Sequence, residues 1–158
     1  MQTARGEGST FRILLPLAEP AAESTAASEE TPADGGRETV LVAEDERVIR
    51  DLVQRALARR GYRVLVAADG REAIEIAEAH AGRIDLLVSD VVMPHVGGPE
   101  LARTLRRRAP ALRVLLMSGY SADALREGQD VPGSEFVPKP FTPDELARRV
   151  RRLLDRAT

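Results

Sequence analysis

Cysteine is absent from the 158 residues. That excludes disulfides, thiolate metal sites and cysteine nucleophiles, and it accords with a reducing compartment. Aromatic side chains make up only 3% of the chain, so a core must be built from Leu, Val, Ile and Ala, for which 43% hydrophobic content is sufficient. No apolar run approaches the ~20 residues that a membrane-crossing helix needs. Ile13 to Leu17 is too short for a secretory signal core and is interrupted by Pro16. The chain is therefore expected to be soluble and cytoplasmic, with no membrane partner. A net charge of −2 supplies no bulk attraction to nucleic acid, so that partner is not expected either. Lysine is nearly missing: Lys139 is the only one among the basic residues, which are otherwise almost all arginine.

What is present divides into three parts. Residues 1–17 hold a glycine-rich turn at Gly6 and Gly8, then Ser9 and Thr10, and a strand-like run from Phe11 to Leu15 closed by Pro16. Residues 18–37, rich in Ala, Glu, Ser, Thr, Pro and Gly, bury too little apolar surface to offset their ordering entropy and read as a linker. From residue 38 to 156 the pattern is regular. Apolar strands are expected at Thr39–Ala43, Tyr62–Ala67, Ile84–Ser89, Leu112–Met117 and Glu135–Val137. A first helix should carry Val48, Ile49, Leu52, Val53, Ala56 and Leu57 on one face and close at Gly61. Asp69-Gly70 reads as a turn, and a second helix runs to Gly82. Gly97 and Gly98 lie in a loop before a third helix, which ends ahead of Pro110. A short fourth helix runs from Ser121 to about Glu127. The last begins at Thr142-Pro143-Asp144-Glu145, with cap, proline and capping-box acid in order, and buries Leu146, Val150, Leu153 and Leu154. Five strands alternating with five helices imply a doubly wound parallel α/β sheet covered on both faces.

Five polar residues fall just past strand ends: Glu44 and Asp45, Asp90, Ser118 and Lys139. In such a sheet those ends converge at one edge. Three carboxylates brought together repel unless a cation joins them. Few, hard oxygen ligands suit Mg²⁺, with Mn²⁺ as the alternative ion. Lys139 can neutralise an oxygen of Asp90 or of a group attached to it, Ser118 can donate to the same group, and Gly119 leaves room for incoming atoms. The set describes phosphoryl transfer onto Asp90.

The motifs VAEDE (42–46), SDVVMP (89–94), MSGY (117–120) and PKPF (138–141), one per strand end, resemble those of two-component response regulator receiver domains across residues 38–156. The resemblance implies a flavodoxin-like strand order 2-1-3-4-5. It implies that Asp90 is the phosphoacceptor, that Glu44, Asp45, Asp90 and the backbone carbonyl of Val92 hold Mg²⁺, and that Ser118 and Lys139 stabilise the phosphoryl group. Ser118 and Phe136 would be the switch pair, and the Lys139–Pro140 bond would be cis. The implied donor is a histidine kinase or a histidine phosphotransfer protein. The implied output is a downstream protein on the face of the fourth helix, fifth strand and fifth helix. The domain would be a phosphoacceptor that promotes its own dephosphorylation, not a kinase. Some positions depart from the family pattern. The first acid is Glu44 rather than Asp, Gly97 stands where a small polar residue is common, and Val92 and Tyr120 flank the site and bear on water access. GEGSTFRILLP further resembles the last glycine-rich turn and strand of a histidine kinase ATP-binding domain. This implies the receiver end of a hybrid kinase, with the ATP-binding core and the phosphorylatable histidine outside this sequence.

Each residue taken singly also has a plainer reading. Asp90 can cap a turn, Glu44 and Asp45 can start a helix, Ser118 can serve a turn, Lys139 can be a surface lysine and Phe136 a core aromatic. His80 and His95 read as exposed, and the Arg pairs 148–149 and 151–152 as a solvated face. A passive interaction module or phosphate sink, independent of Asp90, is the alternative function. An aspartate-based phosphatase would want a second acid at position 92, which is Val, and a dinucleotide-binding GxGxxG is missing after the first strand.

Overall fold

A computed structural model describes residues 2–4, 8–10, 36–119 and 131–156. The chain divides into two units, Met1–Thr31 and Pro32–Thr158. In the first, β1 (Gln2–Ala4) pairs antiparallel with β2 (Gly8–Thr10). This pairing was not apparent in the sequence, and the expected strand from Phe11 to Leu15 lies outside the described residues.

The second unit contains one sheet of five parallel strands: β3 (Thr39–Ala43), β4 (Arg63–Ala67), β5 (Leu86–Asp90), β6 (Arg113–Ser118) and β7 (Ser134–Pro138). Their spatial order is β4-β3-β5-β6-β7, the 2-1-3-4-5 arrangement. The helices among the described residues are α1 (Arg47–Ala58), α2 (Gly70–Ala79), α3 (Gly98–Arg108) and α4 (Pro143–Asp155). The helix expected from Ser121 lies outside the described residues.

Strand periodicity splits the core in two. Val40, Val42, Leu86 and Val88 pack toward α1 and α4, against Val53, Leu57, Leu146 and Val150. Leu41, Ala43, Leu87 and Leu116 pack on the other face, with Ala73 of α2 and Leu101 and Leu105 of α3. All of β3 is buried, so it reads as an unbroken apolar run. β4, at the edge, is only half-buried through most of its length, as its alternating start suggests.

Helix boundaries follow identifiable caps. Thr142 and Glu145 form a reciprocal capping box at α4. Gly61 takes φ +87 just past α1, and Tyr62 N–H donates to the Leu57 carbonyl at 3.4 Å. Three expectations change. Asp69 is the N-cap of α2, its side chain accepting from Glu72 N–H at 2.8 Å, and Gly70 begins that helix rather than completing a turn. Gly98 likewise opens α3. On α1 only Val53, Ala56 and Leu57 are buried, whereas Val48 is 74% and Leu52 42% exposed. The predicted six-residue face is wider than the part that meets the sheet.

Candidate functional site

The carboxyl ends of β3, β5, β6 and β7 meet at Lys139. Its main-chain N–H donates to the Ser118 carbonyl at 2.7 Å, continuing the β6–β7 ladder by one residue. Its Nζ donates to Glu44 Oε2 and to Asp90 Oδ2, both at 2.7 Å. One ammonium thus ties the ends of β3 and β5 to β7. The Lys139–Pro140 peptide bond is cis, as expected. Carboxylate oxygens of Glu44, Asp45 and Asp90 lie within 4.8 Å of one another.

Glu44 is fully buried, while Lys139 and Asp90 keep small exposed fractions. Burial raises the Glu44 pKa, and the Asp90 charge adds to that; attraction to Lys139 opposes but does not reverse it. Burial alone would lower the Lys139 pKa, but hydrogen bonds and attraction from Asp90 and Glu44 outweigh it and raise the value. When all are ionised, three clustered carboxylates share one ammonium, which bonds only Glu44 and Asp90, and this leaves an excess of negative charge. Hard oxygens with that charge excess are the donor set a small divalent cation requires. The residues present therefore fit the ion that the resemblance implies.

The remaining predicted residues are placed as follows. Ser118 is buried, and among the described residues its link to the site is through its carbonyl. Val92 is 64% exposed, and its N–H approaches Asp90 Oδ1 at 3.4 Å. Phe136 is half-buried against the core on the α2 and α3 side, and its carbonyl accepts from Arg149 Nη1 at 3.0 Å. Gly97 is the N-cap of α3 without a side-chain bond, and Tyr120 lies outside the described residues. His95 is exposed at φ +66; His80 is half-buried at the end of α2, where its N–H donates to Ile76, so its predicted exposure does not hold. The α4 arginines are not uniformly solvated: Arg148 and Arg152 are exposed, but Arg149 holds Phe136 and Arg151 pairs with Glu38 at 2.9 Å and Asp155 at 2.7 Å.

Three supports escaped the sequence reading. Arg50 Nη1 donates to the carbonyls of Glu44 at 2.6 Å and Asp45 at 3.2 Å. Buried Ser89 donates its hydroxyl to the Asp90 carbonyl at 2.9 Å. Gly98 lies against the same carbonyl, and a Cβ placed there would stand 2.2 Å from that oxygen. The only hint in sequence was the adjacency of Ser89 to Asp90 and the glycine pair after Pro94.

The fold and site together define an α/β protein of flavodoxin-like strand order with a lysine-bridged acidic cluster at the carboxyl edge of its sheet. The response regulator receiver domain family matches residues 40–151, and the chain belongs to it. Among curated relatives, the sensor kinase CckA of Brucella abortus (strain 2308) is 41% identical over 162 residues, 96% of this chain. The chain spans 17% of that kinase's length. Among solved structures, the receiver domain of the hybrid histidine kinase CckA is 43% identical at a TM-score of 0.63, with 74% of this chain and 99% of that one covered. The receiver domain of sensor histidine kinase PA1611 from Pseudomonas aeruginosa PAO1 has a magnesium ion coordinated in its active site cleft. It is 25% identical at a TM-score of 0.68, covering 77% of this chain and 100% of that one. The protein is thus a receiver domain of two-component signalling. Among the described residues no helix is long and apolar enough to cross a membrane.

Proposed function

We propose that this receiver takes a phosphoryl group from a phosphohistidine onto Asp90, and that the modification switches binding of a downstream protein. The observation that carries the reading is Lys139 Nζ, bonded at 2.7 Å to both Asp90 and Glu44 at the edge where three acids converge. A carboxylate oxygen of Asp90 attacks phosphorus, the P–O bond forms as the P–N bond breaks, and the imidazole leaves with the electron pair. Glu44, Asp45, Asp90 and the Val92 carbonyl would hold Mg²⁺, which when bound neutralises charge on the phosphoryl oxygens. Lys139 places its ammonium against Asp90 and remains beside the new acyl phosphate. Ser118 supplies a hydroxyl to that group, and Phe136 follows its movement. The change is a population shift at the β7 and α4 side of the domain, where Arg149 already joins the Phe136 carbonyl to α4.

The donor is a histidine kinase or a histidine phosphotransfer protein, and the domain acts in the cytoplasm. The order of a kinase-like fragment in residues 1–17, a linker in 18–37 and a receiver in 38–156 supports a hybrid kinase as the parent protein, as does the extent of the match to CckA. Beryllofluoride, which mimics the acyl phosphate, provides the test. With Mg²⁺ it should shift the amide resonances of Val92 and Ser118 in wild type and not in Asp90→Asn. Equal shifts in both proteins would remove Asp90 from the mechanism. A downstream partner that binds equally with and without beryllofluoride would make the domain a passive module.

A further inference from the structure

The loop that carries two of the three acids has one side-chain bond of its own, Glu46 N–H donating to Glu44 Oε1 at 3.2 Å. Glu44 is anchored at both ends: its N–H donates to the Ala67 carbonyl at 3.2 Å, and its carboxylate meets Lys139. Asp45 is exposed, and Lys139 bonds Glu44 and Asp90 but not Asp45. The N-cap of α1, Glu46, makes no side-chain capping bond. Mutual repulsion in the cluster therefore acts on a loop whose first acid is tied down and whose second, among the described residues, is not.

We propose that Arg50 is the positioning residue for this acid pair. It belongs to α1, its own N–H donating to the Glu46 carbonyl at 2.9 Å. From there its Nη1 reaches back over the first turn to the carbonyls of Glu44 and Asp45. Both carbonyls are drawn to one guanidinium nitrogen, so the peptide between the two acids is fixed relative to the helix. That helix packs on the sheet through Val53 and Leu57. The Asp45 carboxylate then stays within reach of Glu44 and Asp90 with no hydrogen bond of its own among the described residues. Arg50 touches neither Asp90 nor a transferring group; it acts through the backbone that presents the acids. The inference rests on the proposed reading that this cluster takes Mg²⁺.

The test is a titration of the full chain with magnesium chloride, followed by the amide resonances of Asp90 and Val92, in wild type, Arg50→Ala and Arg50→Lys. Loss of an outer support weakens metal binding by about tenfold or more, and Arg50→Ala should do so. Arg50→Lys keeps a donor and the charge, and should fall between the two. With acetyl phosphate as donor, the Mg²⁺ concentration giving half-maximal rate should rise in Arg50→Ala by more than the limiting rate falls. A purely structural arginine would lower the melting temperature and leave the Mg²⁺ affinity alone, and that result overturns the proposal. If Arg50→Ala fails to fold, Arg50→Lys decides: affinity equal to wild type overturns, weaker affinity supports. A wild type with no response to Mg²⁺ would refute the functional reading itself, and this inference with it, which separates the two failures.

Discussion

Replacing Gly98 by alanine sets two effects against each other, and the structure says which wins. Alanine favours a helix over glycine by roughly 0.5–1 kcal/mol in an interior position, and by less in a first turn. Against this, the new Cβ would lie 2.2 Å from the Asp90 carbonyl oxygen and 3.1 Å from its carbon, where 3.4 Å is ordinary contact. These are backbone atoms at the end of a central strand and cannot rotate aside. Ser89 Oγ, at 2.9 Å, can move only by giving up its bond to the same carbonyl. Forcing α3 away from β5 is overpacking, at about 1–3 kcal/mol. The net expectation for Gly98→Ala is a loss of about 1–2 kcal/mol, seen in urea unfolding as a lower midpoint at constant slope. Gly119→Ala is the control. No atom of the described residues lies within 4 Å of its Cβ, so its stability should stay within about 0.5 kcal/mol of wild type. A Gly98→Ala protein as stable as wild type, or a Gly119→Ala protein equally destabilised, would refute the reasoning.

Other substitutions probe the site and its supports. Lys139→Gln removes the cation from fully buried Glu44, and equilibrium unfolding near neutral pH should show a loss of about 2–3 kcal/mol, reduced from the fully buried case because Lys139 is partly exposed. The Glu44 pKa is raised on folding, so its native form binds more protons than the unfolded chain above the ordinary carboxylate value. Without Lys139 the attraction that opposes this rise is gone and the Glu44 pKa climbs further, so the loss in Lys139→Gln should grow as pH rises from 4.5 toward neutrality and shrink in acid. Arg106 donates to the carbonyls of Leu112, Pro132 and Gly133, and Arg106→Met should lower stability by about 2 kcal/mol in urea unfolding, since water satisfies only part of that set. Thr142→Ala should cost about 1 kcal/mol by removing the α4 cap. Glu145 has its pKa lowered by bonds from Thr142 N–H and hydroxyl, so its contribution is present above pH 4.5 and lost as pH falls through the folded value. Melting temperatures of wild type and Glu145→Gln should accordingly converge in acid.

The sheet was legible because its strands are unusually plain. β3 is apolar after Thr39 and β5 through Val88, and the acids that follow those runs announce the edge of a buried parallel strand. The four strand-end motifs also named Glu44, Asp45, Asp90 and Lys139, which the structure brings together. The supports were harder to see. Helical spacing shows which residues share a face but not how much of it is covered, so Val48 and Leu52, though exposed, could not be told from Val53 and Leu57. Gly70 was read as a turn glycine and Gly98 as a loop glycine, yet both sit where a helix start meets a backbone carbonyl, a close approach that leaves no mark on local sequence. Arg50 is one arginine among many. Its bonds depend on the path of the loop behind it. The β1–β2 pair has no apolar alternation to reveal it.

The most direct measurement is the site of modification. Wild type is incubated with acetyl phosphate and Mg²⁺, reduced to trap the acyl phosphate, digested and mapped by mass spectrometry. The account predicts modification at Asp90, dependent on Mg²⁺ and absent in Asp90→Asn. Modification at another residue in wild type, or Asp90→Asn labelled as strongly as wild type, would contradict it.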